Sequence, residues 1–84
     1  MLLDVINASY VNDYNIYLEF EDGSKGIVDL TDCANDTGIF MPLKNMDYFR
    51  NFTVDSKIGT IAWENGADVS PEFLYDRLIA SKNP

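Results

Sequence analysis

The chain has 84 residues, 46 % hydrophobic and 24 % charged, with fourteen acids against six bases and no histidine. One small domain of this size buries only about 60 % of its unfolded surface, so a single thin apolar layer is the most it can build. Eleven aromatics supply large buried areas per residue, and this apolar content argues against disorder.

The net charge of −8 and a pI near 4.1 argue against direct nucleic-acid binding, which lysine and arginine drive by displacing counterions from phosphates. An anionic membrane surface is disfavoured for the same reason. No run approaches the ~18 consecutive apolar residues of a membrane span. Met1-Leu2-Leu3-Asp4 lacks the basic segment of an export signal, and one cysteine, Cys33, allows no intramolecular disulfide. The expectation is a cytoplasmic protein, in which the sequons at Asn7, Asn35 and Asn51 are chance matches. Charge is uneven along the chain. Residues 1–42 hold eight acids and one base, Lys25, for a net of −7; residues 43–84 hold six acids and five bases, for a net of −1.

In chain order, the first expected strand spans Leu3 to Val11. The second runs from Asn15 to Glu21, where Ile16, Leu18 and Phe20 alternate with Tyr17, Glu19 and Glu21. A three-residue loop, Asn12-Asp13-Tyr14, opposes Tyr10, Ala8 and Ile6 to Ile16, Leu18 and Phe20; a two-residue loop would put Ser9 and Asn7 on the core face instead. Asp22-Gly23 predicts a two-residue type I′ turn into a third strand, Ser24 to Leu30. That turn sets Leu18 opposite Ile27 and Tyr17 opposite Val28. The outer face then carries Asn7, Ser9, Tyr17, Glu19 and Glu21, polar and acidic.

Thr31 to Gly38 reads as loop. Ile39, Phe40 and Leu43 form an apolar patch broken by Pro42, and Asn45 is a good N-cap for a short helix carrying Met46, Tyr48 and Phe49. Short strands are expected near Phe52–Asp55 and Gly59–Trp63. After the turn pair Asn65-Gly66 comes a last helix, with Ser70 as N-cap, Pro71 first and Glu72 complementing the dipole. Leu74, Tyr75 and Leu78 make its inward stripe, flanked by Ile79. The pattern is α+β: a three-stranded antiparallel meander plus a short strand pair, with two helices on one face.

Without histidine, Ser-His-Asp and Cys-His catalysis and most zinc sites fall away. Asp29, Asp32 and Asp36 surround Cys33 and oppose a thiolate, so it reads as an inert thiol. Gly23 and Gly26 precede a strand, which gives them no phosphate-cradling role. The same three aspartates lie close enough in sequence to suggest Ca²⁺ or Mg²⁺ binding, but the EF-hand spacing fails because Cys33 falls where its first aspartate belongs. A solvated acidic loop accounts for them better. Trp63 and Asp68 suggest a pocket, but a structural account explains every residue type and is preferred: Trp63 ends a strand over the core and Asp68 caps backbone N–H groups near the following helix. No cofactor or metal is expected.

These residues together resemble a family of small bacterial proteins, domain of unknown function 2442. The likeness rests on Phe20-Glu21-Asp22-Gly23, Asp29-Leu30, Gly38-Ile39-Phe40 with Pro42-Leu43, and Tyr48-Phe49. It continues through Gly59-Thr60-Ile61 with Trp63, Asn65-Gly66-Ala67-Asp68, and Pro71 with Leu74-Tyr75. Glu64 stands where relatives often have proline. The resemblance implies an α+β domain, in some relatives fused to a helix-turn-helix module, with no established activity and no catalytic residues. It also implies frequent encoding beside another small protein, in the manner of a toxin–antitoxin pair. Phe40, Pro42, Leu43, Trp63, Asn65, Gly66, Asp68, Pro71, Leu74 and Tyr75 are read as structural.

The leading expectation is an acidic, non-enzymatic interaction module. It would bind a basic protein, such as the product of an adjacent gene, with Tyr17, Glu19 and Glu21 as contact residues. A sensor or dimerisation domain of a transcription-regulator family, working as a homodimer, is the second reading. A metal-dependent hydrolase using the loop carboxylates is the third.

Overall fold

The computed structural model describes residues 3–82. Its elements are β1 (Val5–Asn12), β2 (Asn15–Phe20), β3 (Lys25–Asp29), α1 (Thr31–Ala34), a 3₁₀ segment (Gly38–Lys44), α2 (Met46–Phe49), β4 (Thr53–Asp55), β5 (Thr60–Ala62) and α3 (Pro71–Lys82). β1, β2 and β3 form an antiparallel meander in that order; β4 and β5 form a separate antiparallel pair. The α+β architecture is as expected, with more helix than the sequence pattern indicates. The supposed loop after Leu30 begins with α1, one turn that buries Ala34. The Asp29 carboxylate accepts from the Thr31 N–H at 2.9 Å, an Asx-type turn that redirects the chain out of β3.

Alternation of apolar residues sets the first register: Tyr10 opposes Ile16 and Ala8 opposes Leu18. The connection differs in detail. Asn12 pairs with Asn15, leaving a two-residue turn in which Asp13 has φ 44°, and the extra residue Val11 forms a bulge. A second bulge, at Ile6, places Val5 opposite Phe20. Ile6 is therefore not a core residue; it is half-exposed, and Val5 is buried in its stead.

The second hairpin corrects the expected register by one residue. Tyr17 opposes Ile27, Ile16 opposes Val28, and Leu18 opposes Gly26. The loop has three residues, 21–23: Phe20 N–H donates to Ser24 C=O at 2.8 Å and Gly23 N–H to Phe20 C=O at 3.0 Å. Gly23 takes φ 90°, the left-handed conformation that closes a three-residue hairpin. Because side chains alternate between faces, this shift buries Val28 and leaves Ile27 50 % exposed.

The core is one layer between the meander and the segments that cross it. Phe20, Phe49, Ile16, Leu18, Leu43, Ile61, Leu74 and Leu78 are all fully buried. Aromatic edges bind it together: Tyr14 meets Phe49 at 4.8 Å between centroids and 86° between planes, a favourable T-shaped geometry. Overall extents of 32 × 31 × 19 Å suit a single layer of cover over one sheet. The caps expected at Asn45 and Ser70 both form. Asn45 Oδ1 accepts from Asp47 N–H at 2.9 Å, and Ser70 Oγ accepts from Phe73 N–H at 3.4 Å while donating to Glu72 at 2.8 Å. Among the described residues, no buried side-chain polar atom lacks a partner. No helix there is long and apolar enough to cross a membrane.

Candidate functional site

β2 carries Tyr17 and Glu19 on its outer face, and Glu21 follows at the start of the turn. Tyr17 stands between Ser9 and Ile27, and Glu19 between Asn7 and Lys25. The Tyr17 hydroxyl donates to Glu19 Oε1 at 3.0 Å. Partial desolvation, reinforced by the Glu19 carboxylate, raises the phenol above its ordinary value. This face is less acidic than the expected register makes it, because the shift places Ile27 beside Tyr17 and Lys25 beside Glu19. The structure thus brings an aromatic, an aliphatic and an acid side by side on an uncovered sheet face, with Glu21 exposed at its end.

Asp29, Asp32 and Asp36 do not converge. Arg77, arriving from α3, grips Asp32 with both guanidinium arms, Nη1 to Oδ1 at 2.7 Å and Nη2 to Oδ2 at 2.8 Å. That grip holds the Asp32 carboxyl down at about 2, the Arg77 hydrogen bond being the chief cause. Asp29 is also lowered, first through Thr31, and Asp36 turns to its neighbour Thr37 N–H at 2.8 Å. Among the described residues, no three Asp, Glu, Cys or His side chains gather as ligands for a metal ion. Arg77 also donates to the Asp29 carbonyl at 2.9 Å and lies over the Phe73 ring at 4.5 Å. It borders an open cleft of about 480 Å³ with Ile27, Asp29, Thr31 and Asp32. Forty-five residues separate Arg77 from Asp32, so no local pattern announces the pair. Cys33 is half-buried, and burial followed by the nearby Asp32 raises its thiol pKa, which keeps it protonated near neutrality.

Trp63 and Asn65 organise the other side of the molecule. Trp63 is buried and its Nε1 donates to the Phe49 carbonyl at 2.8 Å. Asn65 ties three segments. Its amide nitrogen donates to Ile39 C=O at 2.9 Å; its Oδ1 accepts from Ala67 N–H at 3.1 Å; and its backbone N–H donates to the Tyr48 hydroxyl at 3.0 Å. Gly66, at φ 90°, lets the Trp63–Ala67 turn close with Trp63 N–H on Ala67 C=O at 2.8 Å.

Asp68 does not cap α3. It is exposed, its backbone bridges Ala62, and Ser70 provides the cap. Nor do Trp63 and Asp68 share a pocket: Asp68 borders a shallow apolar hollow of about 270 Å³ with Phe40, Cys33 and Phe73. Leu43 is buried, and the Pro42 carbonyl accepts from Asn45 N–H at 3.0 Å. Pro71 opens α3 and Leu74 is buried. Tyr75 meets Phe20 edge-on at 5.2 Å and donates to Asp22 Oδ2 at 2.8 Å, tying α3 to the second hairpin.

Two ion pairs occur among the described residues, Arg77–Asp32 and Arg50–Asp47. Of the eight acids in residues 1–42, Asp32 is the one so paired. No curated protein and no solved structure matches the chain. The family model described as Protein of unknown function (DUF2442) matches residues 5–80. The chain belongs to that family, whose function the description leaves open.

Proposed function

We propose that the chain is a non-enzymatic protein-interaction module whose acidic half docks a basic protein, as an antitoxin-like neutralising partner does. The observation that carries this reading is negative charge with few ion-pair partners: residues 1–42 hold a net of −7, and among the described residues Asp32, held by Arg77, is the one of their carboxylates in an ion pair. Such a field steers a cationic partner and accelerates encounter. Tyr17 and Ile27 supply apolar area on the uncovered face, where Glu19 and Glu21 orient the incoming charges.

The test is co-expression with the product of the adjacent gene, followed by association kinetics across a salt series. A complex whose on-rate falls steeply with salt is expected, slowed by Glu21→Gln and released faster by Tyr17→Ala. Absence of a complex, or an association rate indifferent to salt, overturns the proposal, and so does turnover of a substrate by the chain itself.

A further inference from the structure

The two edges of the meander are unlike. At the β1 edge, Val5 N–H donates to Gly59 C=O at 2.9 Å, bringing the approach to β5 against the sheet. Among the described residues, the β3 edge has no such neighbour along its middle. In an antiparallel pair, opposed residues alternate between those that exchange hydrogen bonds and those that do not. Phe20 N–H donates to Ser24 C=O and Leu30 N–H to Tyr14 C=O, so Ser24, Gly26, Val28 and Leu30 direct their backbone groups toward β2. Lys25, Ile27 and Asp29 direct theirs outward. Arg77 reaches the Asp29 carbonyl; the outward groups of Lys25 and Ile27 have no partner among the described residues. The open cleft beside Ile27, Val28 and Asp29 leaves space along this edge.

We infer that β3 pairs with β3 of a second copy, antiparallel about a two-fold axis at Ile27, joining two meanders into one six-stranded sheet. Outward-facing residues can oppose only outward-facing residues, which limits the registers to a few. With the axis at Ile27, Lys25 of each copy faces Asp29 of the other, whose carbonyl keeps Arg77 on one lone pair and offers the second to the incoming N–H, and Ile27 faces Ile27. Two-fold axes at Lys25 or Asp29 set like charges directly opposite, which destabilises a strand pair. Registers between these lose the Lys25–Asp29 match. A lysine on an edge strand ordinarily discourages pairing; here Asp29 of the facing copy, directly opposite, answers it. On the outer face the chosen register also builds an apolar stripe, Tyr17–Ile27–Ile27–Tyr17, from a residue that is 50 % exposed in the single chain. That face stays open to a partner.

Two chains of −8 each repel, so this pairing strengthens as salt is added, the reverse of docking to a basic protein. Sedimentation equilibrium of the full chain over a concentration series, at about 10 mM and about 300 mM NaCl, separates the two behaviours. The expected result is a rise from 9.5 kDa toward twice that mass, with more dimer at high salt. Backbone amides of Lys25 and Ile27 gain hydrogen-exchange protection in step. Lys25→Glu weakens the dimer about tenfold. Ile27→Pro removes an outward N–H while keeping every bond to β2, and it abolishes the dimer; Trp63 fluorescence reports whether that variant folds. Should it misfold, Lys25→Glu with the exchange data carries the test. A monomer at every concentration in high salt overturns the inference. A dimer that survives Ile27→Pro, or that leaves the Lys25 and Ile27 amides unprotected, overturns it equally.

Discussion

The turn after β5 and the outer face of the meander are both rich in polar and aromatic residues, yet they spend them differently. Around Trp63 and Asn65 three donors join groups on distant segments, while the Ala67 N–H closes the turn locally on Asn65 Oδ1. On the outer face, Tyr17 bonds its neighbour Glu19, and Ile27 is left half-exposed. The first region joins the 3₁₀ segment, α2 and the β5 turn into one body. The second makes its side-chain bond within one strand and leaves Ile27 exposed. Polar residues that cross-link remote segments serve the fold, while polar residues that meet only near neighbours are free to serve recognition.

The contrast can be broken most severely at the aromatic centre beneath the turn. Phe49→Ala removes a fully buried ring that Tyr14 and Trp63 pack against, at a cost of about 3–5 kcal/mol, measured by urea unfolding. Next comes Asn65→Ala, which frees the Ile39 carbonyl and the Ala67 N–H together; a loss of about 1–2 kcal/mol is expected. A loss below a few tenths would show that the turn closes without its side chain.

Asp32→Asn is smaller and depends on pH. Arg77 holds the Asp32 carboxyl at about 2, below its value of roughly 3.9 in an unfolded chain. The pair's contribution is therefore complete above pH ~4 and is lost as pH falls through about 2. Since the Asp32 side chain is 61 % exposed, screening limits that contribution to under ~1 kcal/mol. The variant should flatten this part of the acid limb in thermal melts recorded between those pH values. The smallest effect belongs to the outer face: Glu21→Gln leaves the melting midpoint unchanged, while slowing association with the proposed basic partner.

Some of this fold is legible residue by residue. Ile16, Leu18 and Phe20 alternate so regularly that one face of β2 must be buried, and that alone opposes Tyr10 and Ala8 to the right partners. Asn45 and Ser70 are caps by their chemistry, and the structure uses both. Asp22-Gly23 misleads because a two-residue turn and a three-residue loop both accept glycine at positive φ. The choice rests on remote contacts: Tyr75 of α3 takes the Asp22 carboxylate, and α3 packs against β3, with Val28 rather than Ile27 entering the core. Of the candidate surface, Tyr17 and Glu19 were readable as outer-face residues, whereas the pairing of Ile27 with Tyr17 follows from that one-residue shift. The acid cluster was readable as charge but not as geometry, since its partner Arg77 lies on the last helix.

Alternation, caps and composition by themselves determined the α+β class, the order of strands in the meander, and an acidic chain without histidine, because each acts within a few residues. The tertiary structure decided the second hairpin's register, the neutralisation of Asp32 and the open edge of β3. Those depend on where α3 and the β4–β5 pair come to rest against the meander, and chain segments tens of residues apart meet only when the core closes.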